Sequence, residues 1–247
     1  MSQTNCRSGV LARLRTFLVI HPLIVLSTVF FGSGSILISL FESTGNPTLR
    51  LARIWARTLL WFTNVRVEVE GLEKIDPQGR YVFCCNHLSY MDTPAVLANI
   101  PVQFRFLAKE ELFKIPFMGT HLRQAGHVPV PLDDPRAALK VMTHAAQLLQ
   151  SRAISLLIFP EGGRSEDGNL QPFKEGAAYV AIKAQAPLVP IALIGTHEVL
   201  PMHEKIFCSG KVRLRIADPI PTVGKVLKDR DTLTAAVREK VVELLEG

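Results

Sequence analysis

Hydrophobic and polar positions follow different rhythms in the first quarter of this chain and in the rest. Residues 16 to 41 contain no Asp, Glu, Lys or Arg, and a helix of that length, at ~1.5 Å per residue, spans a hydrocarbon core. The run is interrupted by Gly32, Ser33, Gly34 and Ser35, which favour a turn over the middle of one rod. The pattern predicts two shorter helices folded into an apolar hairpin, with one membrane segment or a cleaved signal peptide as the other readings. Arg50, Arg53 and Arg57 then recur at helical spacing beside Leu51, Ile54, Trp55, Leu59, Trp61 and Phe62. Such a helix either lies at an interface and extends its guanidiniums toward phosphates, or packs its apolar side on the rest of the protein.

From Val65 onward short apolar runs alternate with helix-like stretches, as in a layered α/β structure. Val65, Val67 and Val69 alternate with Arg66, Glu68 and Glu70, while Tyr81 to Cys85, Phe104 to Ala108, Ile154 to Phe159 and Leu188 to Ile194 read as buried strands, with Val212 to Ile216 as one more. Helical stripes run through Ala138, Val141, Ala145, Leu148 and Leu149, and again through Val237, Val241, Leu244 and Leu245. The expected fold class is α/β: a mostly parallel central sheet flanked by helices, with an N-terminal apolar helical hairpin or membrane segment. Two units follow, a membrane-associating helical segment at 1–63 and an α/β domain at 64–247.

Composition narrows the partners. The 247 residues are 48% hydrophobic, enough for one large core, and 28 Lys and Arg against 22 Asp and Glu give a net charge of +6. Anionic partners are favoured, but with only 3 Tyr and 2 Trp and no basic run interleaved with aromatics, nucleic acid is excluded. Cys6, Cys84, Cys85 and Cys208 lack the paired spacing of a zinc site, and Cys84 and Cys85, within an apolar run, read as buried small hydrophobes. Lys211, Arg213 and Arg215 alternate with Val212, Leu214 and Ile216, offering a basic strand face to an acidic carrier protein or a membrane, or simply to solvent.

Chemistry in an open α/β sheet sits past the carboxyl ends of its parallel strands. Two segments stand there, residues 86–92 after one buried strand and residues 159–165 after another. An imidazole is neutral near pH 7 and still able to hold a proton, which suits His87 to be a general base, and a carboxylate fixes its tautomer. On a regular helix the five-residue offset between His87 and Asp92 would set the side chains about 140° apart. His87 therefore belongs in the turn before a helix that carries Asp92. The competing reading is that Ser89-x-x-Asp92 is a capping box. In the second segment Gly162 and Gly163 let backbone amides approach an anion and Arg164 adds a bidentate fork. Glu161 would repel a phosphate directly, so it holds Arg164 or nearby amides in place.

Asn86-His87-x4-Asp92 and Phe159-Pro160-Glu161-Gly162-x-Arg164-Ser165, in this order, resemble the signatures of the lysophosphatidate (1-acylglycerol-3-phosphate) acyltransferase family. Lys109-Glu110-Glu111-Leu112, followed by Pro116 and Gly119, resembles the family's intervening segment, and Val189-Pro190-Ile191 its last apolar block. The likeness covers roughly residues 65 to 200. It implies direct transfer of a fatty acyl group from acyl-CoA or acyl carrier protein to the sn-2 hydroxyl of 1-acylglycerol-3-phosphate, giving phosphatidic acid. His87 and Asp92 would be catalytic, and Lys109, Arg164 and the Gly162-Gly163 amides would receive the acceptor phosphate, organised by Glu161. The absence of a G-x-S-x-G elbow agrees with a route lacking an acyl-enzyme. No metal or bound cofactor is implied, and the implied partners are membrane lipids, lysophosphatidic acid and acyl carrier protein, at the cytoplasmic face of the inner membrane.

One position departs from the family. Where it carries an Asp-Arg pair, this chain reads Val130-Pro131-Leu132-Asp133, so a phosphate-binding cation is missing. Arg136 and Lys109 are the nearby substitutes; otherwise the acceptor is a lysolipid with a non-phosphate headgroup. A non-catalytic membrane adaptor is the alternative from outside the enzymes.

Overall fold

A computed structural model describes residues 9–152 and 154–247; Cys6, counted above among the cysteines, lies outside them. The apolar run forms one helix, α1 (Val10–Ser39), relaxing to π spacing over Thr16–Ile20. It passes through residues 32–35 without a break, so the turn expected there is absent. The small residues serve close approach instead. A Cβ on Gly32 would stand 2.3 Å from the Phe117 ring, and the buried Ser35 hydroxyl pairs with His121 Nδ1 at 2.7 Å. The chain reverses at residues 40–45, and α2 (Asn46–Thr63) packs back along α1. The hairpin exists, with its bend one to two turns later than the glycines suggest.

The interfacial reading needs correcting for Arg53 and Arg57, whereas Arg50, Ile54 and Trp61 stay exposed on the helix. Arg57 donates to Ala98 O at 3.4 Å, a carbonyl in the last turn of the helix α3 (Asp92–Asn99), and Arg53 donates to Val102 O just beyond it. Arg15 does the same for α2, donating to Thr63 O at 3.1 Å. Packing wins because α2 faces the protein: its Leu49, Ala52, Ala56 and Leu60 lie in one core cluster with Phe83 and Ile191 of the sheet. The apolar surplus lies on α1, where only 11% of the most hydrophobic window is buried.

The remaining elements are β1 (Val65–Glu70), β2 (Val82–Cys85), β3 (Phe104–Lys109), α4 (Met118–Gln124), β4 (Val128–Val130), α5 (Pro135–Ser151), β5 (Ser155–Ile158), α6 (Gly176–Ala184), β6 (Leu188–Ile194), α7 (Thr196–Val199), β7 (Gly210–Ile216) and α8 (Arg230–Glu246). Seven strands form one sheet in the order β1-β7-β6-β2-β5-β3-β4. All neighbours are parallel except β6 and β7. Alternation along β2 explains its unbroken apolar run: Phe83 and Cys85 enter the cluster beneath α2 and α3, whereas Val82 and Cys84 enter a second one with Leu149 of α5, Val180 of α6 and Val237 of α8. Each fully buried leucine or phenylalanine contributes roughly 1.5–3 kcal/mol.

Two charged features depart from expectation. Two cations of the basic strand face are matched by β1: Lys211 pairs with Glu68 at 2.6 Å and Arg215 with Glu70 at 2.9 Å. In β3, Arg105 stands 1% exposed among apolar neighbours. Its guanidinium donates to Phe104 O at 2.9 Å, Thr44 O at 2.8 Å and Asn46 Oδ1 at 2.7 Å, fastening the bend of the hairpin to the sheet.

Candidate active site

Because β2 and β5 are adjacent and parallel, with Cys84 opposite Ile158, their carboxyl ends deliver residues 86–92 and 159–165 to one edge. Asn86 splices the first segment to β6: its amide donates to Leu193 O at 2.9 Å and its carbonyl accepts from Leu193 N at 2.7 Å. The chain then turns, and Asp92 opens α3 with its side chain folded back. Its Oδ2 lies 2.8 Å from His87 Nδ1 and accepts the Leu88 and Ser89 N–H groups at 2.7 and 2.8 Å. The bond to Ser89 N–H is only the return half of a capping box: Ser89 Oγ accepts Met91 N–H at 3.0 Å instead of Asp92 N–H, and Asp92 is the first residue of α3. Asp92 therefore braces the turn that carries His87 and does not cap the helix.

The second segment grips the backbone of the first. Ser165 N–H donates to His87 O at 2.9 Å, and Glu161 Oε1 accepts His87 N–H. The Phe159 ring stacks on the imidazole with centroids 3.8 Å apart and planes 12° apart. Two hydrogen bonds, a carboxylate and an aromatic plane therefore fix His87, which is 8% exposed. Such pre-set geometry is what a proton-transferring group needs. Beside it the Cys85 thiol is no nucleophile. Burial first, then the charges of Asp92 and Glu161, push its pKa well up.

Glu161 spends its other oxygen on Gln171 N–H at 2.7 Å. It thus organises amides, as one half of the sequence reading held, but it does not hold Arg164. Burial raises its carboxyl to about 7, outweighing the two amide bonds. Between pH 4.5 and 7 the folded protein holds a proton that the unfolded chain has released, so this group's contribution to stability falls as pH rises through that window and is flat above it. The scale is ~2 kcal/mol. Thermal melting from pH 5 to 8 should show that decline in the wild type and lose it in Glu161→Gln. An identical slope in both proteins would refute the burial account.

Arg164 reaches across to the first segment, its guanidinium carbon 4.0 Å from the centre of the Tyr90 ring. Its Nε is buried without a hydrogen-bond partner, and burial presses its pKa down. Gly162 adopts φ +79°, a conformation that favours glycine, while a Cβ on Gly163 would meet nothing within 4 Å. The amide corner is open. Lys109 ends β3 at the same edge, beyond β5, where its ammonium lies 3.7 Å from Glu111. Leu132, where a cation was expected, packs on the second core cluster, and Arg136 is exposed at the start of α5.

His87, Asp92 and Glu161 thus form one connected group with Arg164 against its rim. Asn86, Tyr90, Phe159 and Gln171 also shape the site but had no role in the sequence reading. The motif spacing could have flagged Asn86 and Phe159; Gln171 carried no signal.

The family model for acyltransferases matches residues 66–194. The 1-acyl-sn-glycerol-3-phosphate acyltransferase alpha of Homo sapiens is 30% identical over 194 residues, covering 78% of this chain and 69% of that one. A 1-acyl-sn-glycerol-3-phosphate acyltransferase of Limnanthes alba is 31% identical over 188 residues, 74% of this chain and 63% of its own. Among solved structures, the crystal structure of the 1-acyl-sn-glycerophosphate (LPA) acyltransferase PlsC from Thermotoga maritima superposes with a TM-score of 0.77 at 27% identity, covering 94% of this chain and 97% of that chain.

Proposed function

The chain belongs to the 1-acyl-sn-glycerol-3-phosphate acyltransferase family, and on that premise we propose that His87 is the general base with which it acylates the sn-2 hydroxyl of lysophosphatidate to give phosphatidic acid. The observation that carries the role of His87 is its 2.8 Å contact from Nδ1 to Asp92 Oδ2. The other two bonds to that oxygen come from N–H donors. Nδ1 therefore carries the ring proton and donates it to the carboxylate, a tautomer assigned from the hydrogen-bond pattern. Nε2 is left with its lone pair. It takes the hydroxyl proton as the acceptor oxygen attacks the thioester carbonyl, and Asp92 stabilises the imidazolium. Collapse of the tetrahedral intermediate breaks the C–S bond, and the imidazolium returns the proton to the departing thiolate. Acyl-CoA or acyl carrier protein supplies the thioester. Arg164 and the Gly162-Gly163 amides hold the acceptor phosphate, with Lys109 at the edge of the site, and Glu161 acts by positioning His87.

The deciding assay crosses both donor types with a panel of lysolipids. Phosphatidic acid formed from lysophosphatidate is the expected product. Leu132, in place of a cation, favours a second reading, acylation of a neutral lysolipid, and exclusive turnover of such an acceptor would replace the first. No transfer to any acceptor by the purified protein would leave only the adaptor.

The long apolar helix is compatible with membrane association. We propose that α1 lies in a membrane, at the cytoplasmic face of the inner membrane; what supports membrane contact is that Leu11, Leu18 and Phe30 on the helix and Phe41 in the bend after it are between 70% and 90% exposed, and an apolar face that large needs cover. Phe30→Glu with Phe41→Glu should weaken association with phosphatidylethanolamine–phosphatidylglycerol vesicles by about tenfold or more. Equal sedimentation of variant and wild type with the vesicles would reject this face.

A further inference from the structure

The Gly162-Gly163 corner has a second cation that no motif contains. A Cβ on Gly162 would lie 2.6 Å from Lys174 Nζ, 2.9 Å from its Cε and 3.2 Å from its Cδ, so the lysine side chain is laid across the turn with its ammonium at the bend. Its backbone is pinned there. Lys174 N–H donates to Pro160 O at 2.8 Å, and three residues earlier Gln171 N–H donates to Glu161 Oε2 at 2.7 Å. These bonds tie the stretch around Lys174 to the 159–165 turn, so the ammonium is delivered by the backbone rather than by the chance swing of a long side chain.

Among the described residues, neither Lys174 nor Arg164 forms an ion pair within 4.0 Å. The carboxylate next in sequence to Lys174, Glu175, is engaged by Arg230. Arg164 belongs to the same turn, two residues after Gly162, with its buried Nε unpartnered. Two cations held by one glycine turn favour an anion there, and a doubly charged one suits them best. Lys109 is less available, being paired with Glu111.

We propose that Lys174 binds the acceptor headgroup, forming with Arg164 the pair that receives a phosphomonoester dianion in place of the cation missing at Leu132. The proposal rests on the lysophosphatidate reading and deepens it. A site with Lys174 prefers a terminal phosphate over the same lysolipid without one.

The test uses the full chain in detergent–lipid micelles, with lysophosphatidate and 1-monoacylglycerol as rival acceptors. Lys174→Met should raise the lysophosphatidate KM about tenfold or more, leave the donor KM and melting temperature unchanged, and lower the preference for lysophosphatidate over monoacylglycerol by a similar factor. Lys174→Arg should restore most of the loss, because a cation and not a particular shape is required. Inorganic phosphate should compete with the acceptor in the wild type and compete more weakly against Lys174→Met. An unchanged acceptor KM in Lys174→Met, or a fall in kcat that Lys174→Arg does not rescue, would overturn the assignment. Failure of the wild type to use lysophosphatidate would overturn the underlying reading first, and that result is seen before any variant is made.

Discussion

His87→Ala should lower kcat by ~10³-fold, within the range that loss of a general base produces, while both KM values stay within about threefold and membrane association is unchanged. The ring is held by Asp92 and Phe159 but supports little in return. Its backbone keeps the bonds to Glu161 and Ser165 whatever side chain residue 87 carries, so alanine removes the base without dismantling the turn. Asp92→Asn separates charge from geometry. All three N–H donors converge on Oδ2, while Oδ1 is buried without a partner. An asparagine oxygen can occupy the Oδ2 position and keep the three bonds, so the variant loses the countercharge for the imidazolium and pays mainly for a buried NH2 group. We expect kcat to fall by ~10²-fold. Near-normal turnover in His87→Ala, measured as single-turnover acyl transfer, would remove the assigned base.

The ease of reading the site and the difficulty of reading its surroundings have one cause. His87, Asp92, Glu161 and Arg164 lie in two short segments, each following an apolar strand, and parallel neighbours put both at one edge. Strand identity was enough to bring them together. Residues 32–35 were misread because glycine and serine suit a turn and a tight helix contact equally, and the choice is made by Phe117 and His121, far along the chain. Arg53 and Arg57 of α2 look interfacial by spacing, but their acceptors are carbonyls of another segment. β4 spans three residues, too few for any period to register. Lys174 lies twelve positions beyond Gly162, and only the closure of the loop on Pro160 brings it back. Arg105 sat inside a run read as a buried strand, and nothing in the run signals that its oxygen partners come from residues 44 and 46.

Arg105→Met should produce the largest loss of stability, about 3 kcal/mol. The guanidinium is charged at neutral pH even though burial first, then the nearby charges of Arg152 and Arg53, press its pKa down to about 10. It has three oxygen acceptors and no carboxylate. Methionine fills most of the aliphatic volume but leaves those oxygens without a donor, at ~1–3 kcal/mol each. Relief of the cost of burying a cation offsets part of that sum. A drop in melting temperature of roughly 6–12 °C is expected for a chain of this size, with new protease cleavage in residues 40–46. The bend fastened by Arg105 also sets how the apolar face of α1 is presented relative to the edge that carries His87. Turnover of long-chain acceptors in vesicles should therefore fall more than turnover of a short-chain acceptor in solution. Equal losses on the two acceptors, with no cleavage at the bend, would mean that Arg105 steadies the sheet alone and does not couple the membrane-facing hairpin to the site.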